Sequence, residues 1–143
     1  MTREIYPCLW FNTEAGEAAE YYCSIFENSK ILSSNPIVTM FELNGKTFMA
    51  LNGGPNFKFN EAVSFVVNCK DQQEIDHYWD SLTANGGAES MCGWCKDKYG
   101  VSWQIVPEIL GTLMSDKDKG PNVMQAFLKM KKFDIEALIL AAK

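Results

Sequence analysis

The chain has 143 residues, of which 47% are hydrophobic, 13% aromatic and 22% charged, and it carries a formal net charge of −5. That length and mix describe one ordinary ordered domain that buries a core without staples, which excludes a disordered chain. The acidic balance excludes the basic field that recruits phosphate backbones, despite the local cluster Lys129, Lys131 and Lys132, so nucleic acid is not an expected partner.

The opening residues MTREIYPCLWFNTE lack a secretory pattern and no apolar run approaches the length of a bilayer crossing, so the sequence predicts a cytoplasmic protein without a membrane partner. The five cysteines, at 8, 23, 69, 92 and 95, are odd in number and scattered, which favours reduced thiols over a disulfide framework.

Residues 5 to 12 (IYPCLWFN) read as a strand ending in Asn12. Residues 14 to 27 then place Ala15, Ala18, Ala19, Tyr22, Ile25 and Phe26 on one helical stripe, with Asn28 as the stop. Strands at about 37 to 43 and 46 to 52 follow, joined by Asn44-Gly45, a pair suited to a hairpin turn because both positions accept positive φ. Asn52-Gly53-Gly54-Pro55 closes the half.

The second half repeats the order. A strand at 62 to 69 leads to a helix opened by Asp71 with Glu74 three residues on, a capping-box arrangement. Ile75, Tyr78, Trp79 and Leu82 form its buried stripe, and Gly86-Gly87 ends it. A strand near 88 to 95, a turn at 96 to 100 and a strand at 101 to 106 with Pro107 as its end complete the half. Each half therefore reads as strand, helix, strand, strand, with near-constant spacing between Phe11-Asn12 and Val67-Asn68, Tyr22 and Tyr78, and Gly45 and Gly100. The remainder is helical: Pro121 suits a first turn, Met124, Phe127 and Leu128 share a stripe, and Asp134 caps Ile135, Leu138 and Ile139. Such an appendage covers a sheet edge or docks on a partner subunit.

Cys92-Gly93-Trp94-Cys95 has the spacing of a thiol-disulfide exchanger, but that chemistry needs its first cysteine at a helix N-terminus, and here a turn and a β-rich strand follow. The sequence predicts instead that Cys92 and Trp94 pack within a strand and Cys95 lies at its end. A closed zinc site lacks a second cysteine pair and has one histidine to draw on, His77, which falls beside a helical stripe and is expected at the surface.

CGWCKDKYGVSWQIVP, with NGG at 52 to 54 and AVSFVVNCKDQQEIDHYW, resembles the PhnB-like proteins, often described as 3-demethylubiquinone-9 3-methyltransferase-like, of the vicinal oxygen chelate superfamily of glyoxalases, bleomycin-resistance proteins and extradiol dioxygenases. The resemblance runs over about residues 5 to 140. It implies an α+β fold of paired βαβββ modules, one at about 1 to 56 and one at about 60 to 107, in a single glyoxalase-like domain with a helical tail over 108 to 143. It also implies a cavity enclosed by the sheets and a homodimer. In metal-using relatives four inward side chains hold a divalent ion, and the matching positions are Cys8, Met49, Ser64 and Gln104, which the internal spacing also pairs.

Alternation turns Leu9, Phe11, Phe48, Ala50, Phe65, Val67, Trp103 and Ile105 toward the helices and leaves the intervening residues for a cavity. A thiol, a thioether, a hydroxyl and an amide make a poor site for a hard or borderline cation, so no metal or other cofactor is expected. The doubly wound sheet of a typical methyltransferase places its cofactor at a Gly-rich turn between strand and helix, whereas both Gly-Gly pairs here fall elsewhere. The leading expectation is a small-molecule cavity with Ser64, Ser102 and Gln104 as anchors and Cys8, Trp10 and Met49 as walls. Side chains that merely fill a closed interior are the plainer alternative. An enzyme of the superfamily's metal-dependent lyase, isomerase or dioxygenase type, using Glu42, Glu89 or water as ligands, is a third, and a tail acting chiefly as a dimer clamp is a fourth.

Overall fold

The computed structural model describes residues 3–143. The chain divides into two compact units, Met1–Phe59 and Asn60–Lys143, each built on a four-stranded sheet.

In the first unit β1 (Cys8–Phe11) is shorter than the 5 to 12 expected, because Pro7 has no N–H to give a ladder; its carbonyl instead takes the Met49 N–H at 3.0 Å. Leu9 and Phe11 lie beneath α1 (Ala15–Ile25), whose buried residues Ala15, Ala18, Ala19, Tyr22 and Ile25 match the expected stripe apart from Phe26, the C-cap. The N-cap residue Glu14 makes no capping bond through its side chain. The Ala15 N–H is taken at 2.8 Å by the Asn52 side chain, from the far end of the module. β3 (Val38–Leu43) and β4 (Lys46–Asn52) form the expected hairpin, with Asn44 at φ 51° and Gly45 at φ 77°. Tyr22 stacks on Phe41, and Phe41 on Phe48, in the core between helix and sheet.

An additional strand, β2 (Lys30–Ser34), pairs with β3 across a bulge between Ile31 and Ser33. Residue-by-residue pattern gave no strand here, since all five positions are exposed and no apolar alternation marks a buried face. The sheet order is β1-β4-β3-β2, with β1 parallel to β4 and the other pairs antiparallel.

The second unit uses the same plan: β5 (Ser64–Cys69), α2 (Gln72–Thr83), β6 (Ala88–Glu89), β7 (Trp94–Lys96) and β8 (Ser102–Pro107), in the order β5-β8-β7-β6. Asp71 accepts the Glu74 N–H at 2.9 Å, and Glu74 accepts the Lys70 N–H at 2.8 Å, so the cap works much as the sequence predicted. Ile75, Trp79 and Leu82 are buried while Tyr78 is half-buried, which makes Trp79, one residue beyond Tyr78, the counterpart of Tyr22.

The expected strand at 88 to 95 is broken in two. Cys92 at φ 59° and Gly93 at φ 79° form a left-handed turn, so Cys92 is not a strand residue, and Cys95 is buried in the middle of β7 and not at its end. The turn is held from outside. The Cys92 and Gly93 N–H groups donate to the Met130 and Lys131 carbonyls at 2.7 and 2.8 Å.

Those carbonyls belong to the tail, which carries α3 (Ile109–Met114), α4 (Gly120–Phe127, with Pro121 in its first turn) and α5 (Ile135–Ala141, capped by Asp134). Gly120 and Val123 are the buried residues of α4, whereas Met124 and Leu128 of the expected stripe are 43% and 53% exposed. Gln72 ties the tail to α2 by donating to the Phe133 carbonyl at 2.9 Å and accepting the Ile135 N–H at 2.8 Å; Lys132 adds an ion pair with Asp76 at 2.9 Å. The α+β class, with two βαβββ modules and a C-terminal helical extension, is the architecture the chain adopts.

Candidate functional site

One face of each sheet carries its helix and the other is left open, so alternation decides which side chains are available to a ligand. Leu9, Phe11, Phe48, Ala50, Trp103 and Ile105 are buried, as expected for helix-facing positions; Phe65 and Val67 are half-buried.

On the open face of the first module, Cys8 and Met49 are direct partners in the parallel pair β1–β4, and Met40 is the partner of Met49 across β3–β4. Cys8 is an exposed thiol whose partial burial still holds its pKa above the ordinary value. Trp10, two residues on, donates its indole N–H to the Gly54 carbonyl at 2.9 Å. Its ring lies so close over Gly53 that a Cβ there would sit 2.4 Å from a ring carbon, and Phe57 meets it edge-on at 5.0 Å between centroids. The NGG segment therefore seats an indole. Cys8, Trp10, Met40, Met49 and Leu51 make this face apolar and rich in sulfur.

The second module presents different chemistry from the same positions. Ser64 pairs with Ser102 in β5–β8, as Cys8 pairs with Met49 in β1–β4, so the strand-pair counterpart of Met49 is Ser102, with Gln104 two residues further along the strand. Gln104 donates its amide N–H to the Ser64 hydroxyl at 3.0 Å. Ser102 is 1% exposed and its Oγ has no hydrogen-bond partner among the described residues. A buried hydroxyl in that condition costs about 1–3 kcal/mol until something pairs with it.

Ser102 lines a pocket of about 260 Å³ with Glu61, Ala88, Glu89, Ser90, Trp94, Cys95 and Lys96, the Glu89 carboxylate accepting the Trp79 indole N–H. Lys96 is the partner of Ser102 across β7–β8, which puts both side chains on the open face, and its ammonium forms an ion pair with Glu61. The turn that fixes this juxtaposition is organised by Asp97, 2% exposed. Its carboxylate accepts the Tyr99 and Val101 N–H groups at 2.9 and 3.1 Å and the Trp103 indole N–H at 2.8 Å. Neither Asp97 nor Lys96 was singled out by sequence reasoning. The one available signal was a charged residue inside CKDKYGVSW, where every second position is apolar.

Thiolate chemistry has no support at Cys92 and Cys95. Cys92 lies in a turn, and burial, with the Asp97 and Glu89 carboxylates, pushes the Cys95 thiol up to about 12. The four positions that the resemblance pairs with metal ligands fall as Cys8 with Met49 in one module and Ser64 with Gln104 in the other. They supply a thiol whose pKa partial burial raises, a thioether, and a hydroxyl and an amide bonded to each other. Among the described residues no group of three or more His, Cys, Asp or Glu side chains is placed to hold an ion. These donors do not fit a hard or borderline dication.

A family model described as 3-demethylubiquinone-9 3-methyltransferase matches residues 3–106. Among solved structures, the chain is similar to the PhnB protein of Bacillus cereus, at 33% identity and TM-score 0.68, covering 73% of this chain and 99% of that one. It shares its fold with a glyoxalase-related enzyme from Fulvimarina pelagi (15% identity, TM-score 0.57, 77% and 91% covered). A glyoxalase/bleomycin resistance protein from Albidiferax ferrireducens is similar at 12% identity and TM-score 0.52, with 72% and 96% covered. No curated protein is matched.

Proposed function

Since the chain belongs to the 3-demethylubiquinone-9 3-methyltransferase family, PhnB-like proteins with the glyoxalase and bleomycin-resistance fold, we propose that it binds a small organic molecule on the open face of the second module's sheet without the superfamily's metal quartet. The buried, unpartnered Ser102 hydroxyl lining a pocket carries this reading, because a folded protein tolerates such a group where something else completes it. Ser64 and Gln104 supply further polar groups on that face, and Cys8, Trp10 and Met49 make the corresponding face of the first module a separate, apolar candidate surface. We treat both modules and the tail as one functional domain.

Native mass spectrometry of freshly purified protein tests this. A chain carrying a small organic adduct, diminished in Ser102→Leu, is the expected result. A stoichiometric, tightly held dication would instead favour lyase, isomerase or dioxygenase chemistry through ligands such as Glu42 or Glu89, although Glu89 already accepts the Trp79 indole N–H at 2.7 Å. The family's methyltransferase description finds no matching turn, since Asn12-Thr13-Glu14 and Lys70-Asp71, which join strand to helix, contain no glycine.

The finer reading is a cytoplasmic homodimer. Free thiols at all five cysteines suit a reducing compartment, and no described helix is long and apolar enough to cross a membrane. Exposed Met124, Leu128 and Leu140 on the tail are the surface a second copy would cover. Sedimentation equilibrium of the full chain should give twice the chain mass, and Leu128→Lys with Leu140→Lys should halve it; a monomeric parent would remove the dimer.

A further inference from the structure

The geometry points to an oxyanion, a carboxylate or a phosphate on a small planar molecule, as the ligand group of the second module's pocket. It would be held between the Lys96 ammonium and the Ser102 hydroxyl, with Glu61 as the internal anion that it displaces. This rests on the small-molecule reading above and adds the chemical class.

Three observations converge. The first is the Ser102 hydroxyl, fully buried and lacking a partner among the described residues. A hydroxyl donates one hydrogen, and an anionic oxygen is the acceptor that rewards it most, roughly twofold over a neutral one. The second is the placement of Lys96 directly across from Ser102 on the same open face. Cβ atoms of such partners lie about 5 Å apart, so one oxyanion bridges the two groups. The turn that sets this register is clamped by the Asp97 carboxylate, which pre-organises the pair.

The third is the nature of the existing counter-ion. Glu61 precedes β5, in a turn, and its side chain is 60% exposed, against 42% for Lys96. A solvent-exposed ion pair is worth little, so exchanging Glu61 for a ligand anion costs little and leaves Lys96 neutralised. Trp94, two residues before Lys96 on the same face, lines the pocket beside them and gives a flat wall for the planar part of the ligand. A cationic ligand would oppose Lys96 and leave the Ser102 hydrogen unpaired, and the pocket's second carboxylate, Glu89, is already engaged by the Trp79 indole N–H.

The test is titration of the ¹⁵N-labelled full chain with benzoate, phenyl phosphate and benzyl alcohol, following backbone amides. One or both anions should saturate with shifts centred on Lys96 and Ser102, at least about tenfold tighter than the alcohol, as a charge-assisted hydrogen bond gives. Which anion binds separates a carboxylate site from a phosphate site. Lys96→Met should weaken the anion at least about tenfold, and Ser102→Ala by a smaller factor. Glu61→Gln should tighten it severalfold by removing the competing carboxylate, a gain that misfolding could not mimic. Benzyl alcohol binding as tightly as benzoate at these amides overturns the oxyanion and leaves the small-molecule reading standing. Silence of these amides toward both anions, or an unchanged affinity in Lys96→Met, also overturns it, and the adduct measurement above then decides the broader reading by itself.

Discussion

The two modules share one hydrogen-bonding plan and differ on the face that plan leaves open. Both run β-α-β-β-β, with the first strand parallel to the last, and both bury an aromatic residue of the helix against the sheet, Tyr22 in one and Trp79 in the other. Yet on the face turned away from the helix the first carries Cys8, Met40, Met49 and Leu51, and the second carries Ser64, Lys96, Ser102 and Gln104 at the corresponding places. Topology is enforced from the helix side, where apolar burial contributes about 1.5–3 kcal/mol per large side chain, so the open side is free to diverge toward chemistry.

The sharpest way to break this comparison is at the last hairpin of each module. Asp97→Ala strands two backbone N–H groups and an indole, so urea denaturation should show a loss of about 3–5 kcal/mol. Asn44→Ala, in the exposed turn of the first module, should cost only about 1–2 kcal/mol for placing an ordinary residue at positive φ. Equal losses would mean that the second turn is not the specially braced one.

The glycines come next. Gly93→Ala adds strain at φ 79° and drives a methyl toward Phe133 and the Ile105 carbonyl, while Gly53→Ala drives one into the Trp10 ring. Each should cost about 1–3 kcal/mol, but by different routes. The first should expose the tail to limited proteolysis; the second should shift Trp10 fluorescence and leave the tail protected.

A smaller difference lies in the helix caps. Asp71→Ala should cost about 1 kcal/mol in thermal unfolding, and Asn52→Ala at least as much. Asn52→Ala should cost more, because Asn52 also donates to the Pro36 carbonyl at 3.1 Å and so joins helix, strand and loop.

The smallest effect is the pH response of the tail's attachment. The Lys132 and Gln72 hydrogen bonds hold the Asp76 carboxyl below its ordinary value of 3.8. A depressed folded value means that the pair stabilises above the unfolded pKa and loses its contribution as pH falls through the folded one. Hydrogen exchange around 130 to 135 should therefore accelerate below about pH 4, more in the parent than in Asp76→Asn, by an amount within the about 0–1 kcal/mol of an exposed pair.

Much of the framework was legible because its causes are local. Asn44-Gly45 takes positive φ wherever it occurs, Asp71 caps from within its own turn, and alternation separates Phe48 and Ala50 from Met49 without knowledge of any neighbour. The list of open-face residues followed from the same periodicity, and Ser102 was on it. What made Ser102 distinctive was invisible, because a hydroxyl in a sequence does not disclose whether its hydrogen has a partner.

The rest was decided by groups far apart in the chain. β2 exposes all its side chains and exists because β3 offers it a ladder; α1 begins where Asn52 reaches it; Cys92 and Gly93 form a turn because Met130 and Lys131 accept their N–H groups. Local rules fix a backbone where its own side chains satisfy it. Where the donor and acceptor meet only after folding, nothing in the neighbouring letters records the bond, and only the assembled tertiary structure does.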